Sequence, residues 1–143
     1  IWTIPADRMK NGTEHRVPLS GAVVSILNQI RTVRVSDYVF PGGKKNSPLS
    51  NMAFNQLLKR MNISKDVAVP HGFRSTFRDW AAERTGVQNE VAEMALAHSV
   101  SSKVEAAYRR GDLFDKRRRL MDAWAEFCSS PTSGDANVVS LRG

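Results

Sequence analysis

One stretch of the chain, from His71 to Glu83, holds residue types that can bind and act on a phosphate group. Its pattern predicts an amphipathic helix entered from Pro70, with His71, Arg74 and Arg78 on one face at spacings of three and four. An imidazole and a five-donor guanidinium fork, held side by side at a helix start, can both bond one phosphate. Taken alone, the pattern is common by chance and favours a simpler interpretation, a capping histidine and an arginine paired with a nearby acid.

Two more residues with acid–base chemistry lie at a predicted turn and at a predicted helix end. Lys10 directly precedes Asn11-Gly12, the strongest two-residue hairpin signal, so we expect it at a hairpin tip. An exposed lysine on a turn is most often only solvated. His98 follows a short predicted helix whose C-terminal end favours a protonated ring. By itself, such a histidine is more often structural than catalytic.

Basic residues surround the remaining candidate, Tyr108, which is followed directly by Arg109 and Arg110. Nearby positive charge favours the phenolate form of a tyrosine, although a surface tyrosine is usually just half buried. Lys44 and Lys45 lie in a predicted flexible loop rich in glycine, asparagine and serine. They either contact a phosphate backbone or only keep the loop solvated, which is the commoner case.

The elements that must position these residues are mainly helices. Apolar residues at helical spacing predict five helices, for which Ser20, Ser50 and Asp112 are expected N-caps. Gly86 is expected to follow the end of the central helix in the left-handed conformation. The predicted helices span residues 20–32, 50–62, 71–86, 88–97 and 112–128, with a further helical turn from Ser101 or Ser102 to Gly111.

Extended segments are few. Residues 2–5 are predicted to end a strand whose partner lies upstream, residues 15–19 to form the return strand of a hairpin, and residues 37–41 to form a short extended piece. The predicted fold class is therefore α+β, mainly α-helical with a small antiparallel hairpin at its edge.

Each long helix has an apolar stripe that we expect to be buried. The stripe of the last helix is expected to dock into an apolar groove of the same chain or of a neighbour. The basic run Lys116–Arg119 on that helix is expected to be a solvated face, with DNA contact as the less favoured alternative. The stripes are, in chain order, Val23, Val24, Leu27 and Ile30; Met52 or Ala53, Phe54, Leu57, Leu58 and Met61; Phe73, Phe77, Trp80 and Ala81; Val91, Met94 and Ala95; Leu113, Leu120, Trp124 and Phe127.

Length and composition indicate a single globular domain with a polyanionic partner. The 143 residues are 41% hydrophobic and 24% charged, an ordinary balance for a folded domain. Lysine and arginine number 21 against 14 acidic residues, giving +7 and a pI near 10.1. Nucleic acid is the favoured partner, and a purely solubilising charge is the alternative. Residues 129–143 are expected to form a mobile tail.

Two classes of protein are disfavoured by what the sequence lacks. Cys128 is a single cysteine, and no secretory signal or 18-residue apolar run is present, so we expect an intracellular protein with no membrane contact. No clustered set of histidine, cysteine or carboxylate ligands is present, so neither a metal nor another cofactor is expected.

Taken in order, four signals resemble the tyrosine recombinases, and in particular the catalytic part of a phage-type or genomic-island integrase. They are a hairpin lysine, a His-x-x-Arg pair, a second histidine and a tyrosine ten residues later. The resemblance covers residues 1 to about 128. Its motifs are Met9-Lys10 with His15-x-Val17-Pro18-Leu19-Ser20, then His71-Gly-Phe-Arg-x-Thr-Phe-x-x-Trp80, and then Leu96-Ala-His98 leading into Val104-Glu-x-Ala-Tyr108.

The resemblance implies a role for each candidate in metal-free DNA cleavage and religation. Tyr108 would attack the phosphodiester to give a 3′-phosphotyrosyl link, and Lys10 would protonate the departing 5′ oxygen. Arg74 would hold two phosphate oxygens. His71 and His98 would bond the remaining oxygens or manage the tyrosine proton, and the sequence does not divide these duties between them.

The resemblance also implies a missing part and a set of partners. The family's first catalytic arginine and its core-binding domain are expected upstream, so we expect an N-terminally truncated catalytic domain that binds DNA but is poorly active or inactive alone. The implied partners are double-stranded attachment-site DNA and further copies in a tetrameric synapse joined by the C-terminal helix. The expected DNA contacts outside the cleavage site are Lys44, Lys45, Arg78, Arg109 and Arg110. The implied location is the bacterial cytoplasm, on the nucleoid. The alternatives are a non-catalytic DNA-binding module and a type IB topoisomerase-like enzyme.

Overall fold

The computed structural model describes residues 1–98 and 111–130, which form five α-helices and one two-stranded antiparallel sheet. The predicted fold class, mainly helical with a small antiparallel hairpin, agrees with these elements. The expected helical turn between Ser101 and Gly111 and most of the expected tail lie outside the described residues. The elements are β1 (Trp2–Ile4), β2 (His15–Val17), α1 (Gly21–Thr32), α2 (Ala53–Arg60), α3 (Gly72–Arg84), α4 (Asn89–Ala95) and α5 (Phe114–Ser129).

The hairpin joins the start of the chain to β2. Trp2 pairs with Val17 and Ile4 with His15, so β2 is the return strand that the sequence predicted. The connection is longer than a two-residue turn, because a 3-10 turn at Ala6–Arg8 precedes the tight turn that contains Asn11 and Gly12. The longer connection carries the predicted tip away from the strands themselves.

The buried core lies where α3, α4 and α5 meet. These three helices pack against one another and so remove their apolar stripes from water. Burial of apolar surface stabilises the fold by about 25 cal/mol for each Å². Phe73, at the start of the expected α3 stripe, is 57% exposed and takes no part. The buried apolar residues are Phe77, Trp80 and Ala81 of α3, Val91 and Ala92 of α4, and Leu120 of α5.

Aromatic contacts dock the last helix onto α3 of the same chain. Trp124 meets Phe77 edge-on, with ring centroids 5.4 Å apart, and lies 5.0 Å from Trp80. Phe127 stacks on Trp124 at 5.5 Å. Such pairs add about 0.5–1.5 kcal/mol beyond their area burial. Of the two sites expected for this stripe, the structure therefore shows the one within the chain.

The apolar stripes of α1 and α2 are not buried, which contradicts the sequence-based expectation. Val24 of α1 is 42% exposed, and neither helix contains a fully buried residue. In α2, Phe54 and Leu57 are 60% and 44% exposed, and the residues at its two ends, Met52 and Met61, are 54% and 58% exposed. Periodicity identifies the face of a helix that can be buried, but it does not supply an element to cover that face. In the described part of the chain, no element does so for α2.

Helix ends follow the predictions only in part. Ser20 caps α1 as expected, its hydroxyl accepting a hydrogen bond from the Val23 amide. Ser50 does not cap α2, which begins later, after Met52. Gly86 does follow the C-cap of α3, Thr85, as expected, but it is not left-handed, because Thr85 has an extended backbone and the chain leaves the helix without a left-handed turn.

The predicted extended piece at residues 37–41 is limited to one bridge between Pro41 and Pro48. The Gly42 amide donates to the Ser47 carbonyl at 2.7 Å and closes the loop between them. A Cβ atom at Gly42 would lie 2.3 Å from the Pro48 carbonyl oxygen. Only glycine fits this approach, and the loop presents Lys44 and Lys45 at its exposed end.

None of the helices within residues 1–98 and 111–130 combines the length and the apolar character needed to cross a membrane.

Candidate functional site

Arg74 and His98, 24 residues apart in sequence, are in direct contact. Arg74 lies in the first turn of α3, and its Nη2 atom is 2.8 Å from His98 Nε2. The same nitrogen donates to the Leu96 carbonyl at 2.6 Å. Arg74 is thus bound to the end of α4. The simpler interpretation of the sequence, in which this arginine pairs with a nearby acid, is wrong.

The end of α4 is built so that His98 faces Arg74. The Ala97 amide donates to the Met94 carbonyl and the His98 amide to the Glu93 carbonyl, at 3.1 and 2.9 Å. These two bonds form a Schellman motif, in which the residue that follows the C-cap of the helix adopts a left-handed backbone. Ala97 takes that conformation, with φ of 56°. The backbone therefore reverses at Ala97 and sets the histidine beside the helix that it has just left.

Glu93, which was not identified from the sequence, contacts both His98 and Arg78. Its Oε2 atom lies 2.6 Å from His98 Nδ1, and its Oε1 atom accepts a hydrogen bond from Arg78 Nε. The hydrogen bond with His98, aided by Arg78, holds the pKa of the Glu93 carboxyl below its ordinary value. The signal in the sequence was the five-residue separation of Glu93 and His98, which a Schellman motif brings together.

Lys10 reaches the same place from the hairpin. The Gly12 amide donates to the Met9 carbonyl at 3.0 Å, which makes Lys10 the second residue of a tight turn, and Gly12 is left-handed with φ of 65°. A cavity of about 500 Å³ separates this turn from the end of α4. Its lining residues are Met9, Lys10, Asn11, Ala97 and His98. Lys10 and His98 thus share one open cavity.

His71 occupies the N-cap position of α3 but its side chain makes no capping hydrogen bond. The residue is exposed, and its carbonyl accepts a hydrogen bond from the Arg74 amide at 3.2 Å. The ring therefore stands one turn before Arg74, at the exposed start of the helix. This is where the sequence predicted it.

The predicted DNA contacts fall into three groups. Arg78 is committed to Glu93 while remaining half exposed. Lys44 and Lys45 lie at the end of the Pro41–Pro48 loop, and no described hydrogen bond or ion pair connects them with Arg74 or His98. The remaining predicted site residues, Tyr108, Arg109 and Arg110, lie outside the described residues.

A second polar cluster joins α5 to the hairpin, and it corrects one expectation. Arg117, predicted to be part of a solvated basic face, is only 1% exposed. Its guanidinium donates to the carbonyl and the carboxylate of Asp112 and to the Arg16 carbonyl, at 2.6 to 2.7 Å. The arginine is buried because all its donors that face the protein have an acceptor. Burial, followed by the charge of Arg117, lowers the pKa of His15 in β2.

Within the described residues, no three histidine, cysteine or acidic side chains are arranged to hold a metal ion. The groups that meet at the site are instead hydrogen-bond donors and one titratable ring: the Lys10 ammonium, the Arg74 guanidinium and the His98 imidazole. Such groups are suited to binding a phosphate and to moving a proton beside it. Fold and site together define a mainly helical protein with an open cavity that is bordered by the basic side chains of Lys10 and His98.

The chain belongs to the phage integrase family, whose sequence profile matches residues 1–113. It is 36% identical over 142 residues to prophage integrase IntA of Escherichia coli strain K12, covering 98% of this chain and 34% of the relative. Prophage integrase IntZ of the same strain is 33% identical over 138 residues, or 96% of this chain and 34% of the relative. The integrase of Shigella phage Sf6 is 31% identical over 136 residues, or 89% and 33%.

The chain spans about a third of the length of the curated relatives that it matches. No solved structure gave a significant match.

Proposed function

We propose that residues 1–128 form the catalytic domain of a tyrosine-type site-specific recombinase that integrates or excises a mobile element. The observation that carries this proposal is the contact of Arg74 with His98 beside the cavity that Lys10 lines. Arg74 and His98, which the integrase pattern requires and which are far apart in sequence, are in contact, and Lys10 lines the cavity that His98 borders. Membership of the phage integrase family supports the same function.

The proposed reaction is a metal-free transfer of a phosphoryl group between DNA and the protein. The hydroxyl of Tyr108 attacks the phosphodiester and loses its proton to His71 or His98, its oxygen bonds to phosphorus, and the bond to the 5′ oxygen breaks. Lys10 gives a proton to that departing oxygen, and Arg74 stabilises the negative charge of the crowded phosphorane. The 3′-phosphotyrosyl bond keeps the energy that religation needs, and the 5′ hydroxyl reverses the attack.

His71 and His98 complete the proposed site around the phosphate. His71, exposed at the start of α3, can donate to a phosphate oxygen, as can the unused donors of the Arg74 fork. His98 borders the cavity and can exchange a proton there. The proposed DNA contacts outside the cleavage site are Lys44, Lys45, Arg78, Arg109 and Arg110.

The proposed partners are double-stranded attachment-site DNA and three further copies in a synapse, on the nucleoid in the bacterial cytoplasm. The C-terminal helix is the proposed link between copies. Because its stripe is already packed on α3, α5 can join copies either through its exposed side or by exchange of the whole helix between them. Phe127, whose ring contacts Trp80 and Trp124 but is still 44% exposed, lies at the border between the packed stripe and that side.

Residues 1–143 alone are expected to cleave DNA slowly. The described site offers one arginine to the phosphate, whereas the family resemblance implies a second one. Loss of one preorganised donor to a developing oxyanion typically costs about 10² to 10³ in rate. Without a second DNA-binding domain, positioning of the tyrosine would be weaker as well.

A suicide substrate that is nicked near the scissile phosphate tests the proposal. We expect a small yield of covalent protein–DNA adduct after long incubation, seen on a denaturing gel, and none with Tyr108→Phe. Both proteins should bind the duplex equally. An adduct of equal yield in both proteins would refute the role of Tyr108. No adduct from either would favour the non-catalytic DNA-binding module, and relaxation of supercoils without strand exchange would favour the topoisomerase-like enzyme.

A further inference from the structure

We propose that Glu93 is a positioning residue that sets the tautomer of His98. Its carboxylate keeps the ring proton on Nδ1 and so leaves the lone pair of Nε2 facing Arg74 and the Lys10 cavity. The assignment concerns the resting state of the ring and rests on the described contacts. Its chemical use, in the cleavage of DNA, rests on the function proposed above.

Two independent contacts require the same tautomer. An ionised carboxylate can only accept hydrogen bonds, so at 2.6 Å from Glu93 Oε2 the Nδ1 atom of His98 must donate. A guanidinium can only donate, so at 2.8 Å from Arg74 Nη2 the Nε2 atom must accept. The neutral ring with its proton on Nδ1 satisfies both contacts. In the other tautomer, the Nε2 proton would face the N–H of Arg74 and the Nδ1 lone pair would face the carboxylate of Glu93.

The carboxylate is itself held in place and in its charged form. Arg78 Nε donates to the second oxygen, Oε1, from the neighbouring helix α3. The side chain of Glu93 is 23% exposed against 41% for that of His98, so the acid lies behind the ring. The lowered pKa of Glu93 agrees with an acid that stays ionised while it accepts from His98 and Arg78. The backbone bond from the His98 amide to the Glu93 carbonyl fixes the same pair a second time.

This tautomer divides the duties that the sequence left open between the two histidines. With its Nε2 lone pair accepting from Arg74, the resting His98 ring cannot give a proton on that edge, and it can take one there only when the contact with Arg74 opens. When Nε2 takes a proton, the carboxylate behind Nδ1 stabilises the resulting imidazolium. Donation to phosphate oxygens then falls to His71, Arg74 and Lys10, whose donors need no prior protonation of His98.

Glu93→Gln tests the assignment with almost no change of shape. Because Arg78 needs an acceptor, the side-chain oxygen of glutamine stays with Arg78 and its NH₂ group turns to His98 Nδ1. An amide NH₂ can only donate, so the ring proton must move to Nε2. That proton then opposes the N–H of Arg74, and we expect the contact between Arg74 and His98 to open.

The readout is the ¹⁵N NMR spectrum of the ring nitrogens in the 143-residue chain, recorded at pH 8 with long-range coupling to the ring protons. Spectra of His98→Gln identify the His98 signals by their absence. We expect a protonated Nδ1 and an unprotonated Nε2 in the unsubstituted chain, and the reverse in Glu93→Gln. Glu83→Gln, which removes an exposed acid of α3, is the control and should leave the pattern unchanged.

A protonated Nε2 in the unsubstituted chain would overturn the proposal whether or not any variant folds. An unchanged pattern in folded Glu93→Gln would overturn it as well. The spectra do not depend on DNA cleavage, so the expected tautomer in a chain that forms no covalent adduct would contradict the proposed function and leave this assignment standing.

Discussion

The geometry of the site requires a strained backbone at Ala97. Its left-handed φ of 56° is one that glycine adopts readily and alanine does not, at a cost of about 1–2 kcal/mol. The strain is maintained because the Schellman bonds and the side-chain contacts of His98 hold the reversal in place. The left-handed alanine thus keeps His98 beside Arg74.

Ala97→Gly should therefore stabilise the protein. Relief of strain exceeds the added entropy of the unfolded glycine, and we expect the free energy of unfolding to rise by about 0.5–1 kcal/mol. Urea denaturation measures the change. The control is Ala82→Gly at an exposed position inside α3, which should lower it by about 1 kcal/mol. A loss of stability in Ala97→Gly would show that the left-handed turn is not strained.

Glu93 should make the stability of the fold depend on pH below the neutral range. Its folded-state pKa lies below the ordinary value of 4.5, chiefly because His98 donates to it. The stabilisation is fully present above pH 4.5 and is lost as the pH falls through the lowered value, since the unfolded chain then binds the proton more tightly. Denaturant unfolding at pH 7 and at pH 3.5 should show a smaller acid-induced loss in Glu93→Gln than in the unsubstituted chain. An equal loss in both would contradict the linkage.

At the scale of elements, Arg117 clamps the start of α5 to the hairpin. It joins Asp112, just before the helix, to the carbonyl of Arg16 in β2. The side chain of Arg16 completes the contact, with its guanidinium carbon 4.3 Å from the centroid of the Phe114 ring. The clamp thus fixes the chain directly after residues 99–110 against the strand that follows the Lys10 turn.

Arg117→Met should be strongly destabilising because it keeps the volume of the side chain but leaves three acceptors without their donor. We expect a loss of about 2 to 3 kcal/mol, toward the lower end of the range for buried pairs because the Asp112 side chain is 41% exposed. The control is Arg118→Met, one residue on, whose exposed pair with Asp115 should be worth less than about 1 kcal/mol. Equal losses in a urea titration would refute the clamp.

The elements themselves were largely predictable, and their partners were not. Residues 20–32 were expected to form a helix capped by Ser20, and α1 has these features. What covers α1 depends on distant residues that periodicity does not encode. The burial of Arg117, by contrast, had a signal: spacings of three and seven residues put it on the stripe of Leu120 and Trp124. Charge alone was used to assign it to the surface.

The site was predictable to the same degree. Lys10 and His98 were identified from their residue types and sequence order, and the structure places both at one cavity. Glu93 was missed because its contact with His98 depends on the reversal of the backbone at Ala97. Alanine rarely adopts a left-handed backbone, so its residue type does not predict that reversal. Tertiary geometry chose this conformation against local preference.

The docking of α5 gives a test that compares two apolar faces of the fold. Trp124→Ala with Phe127→Ala removes rings packed on Phe77 and Trp80, and we expect a loss of about 2 to 4 kcal/mol in the free energy of unfolding. The matched pair Phe54→Ala with Leu57→Ala on the exposed face of α2 should change it by roughly 0.5 kcal/mol. Analytical ultracentrifugation of each variant accompanies the measurement. Lost self-association with unchanged stability would show that α5 docks on a neighbour.

For the molecule as a whole, the net charge of +7 is the feature that acts at long range. We expect the chain to bind duplex DNA without sequence preference through counterion release, with a dissociation constant of roughly 10⁻⁴ to 10⁻⁶ M and an affinity that falls steeply with salt. Total charge does not say which residues touch the phosphates. The Pro41–Pro48 loop carries two adjacent lysines at an exposed end, which is the arrangement expected of a direct contact.

Replacing Lys44 and Lys45 together by alanine should therefore weaken binding to every duplex sequence alike. If both lysines neutralise phosphates, the slope of log affinity against log salt should fall by about 1.8, which is 0.9 for each contact. Lys59→Ala with Lys65→Ala removes the same charge near α2 and is the control, expected to leave the slope almost unchanged. Fluorescence anisotropy across a salt series measures both. If the slope changed equally in the two double variants, the loop would act only through net charge. Net charge falls by the same amount whichever two lysines are replaced.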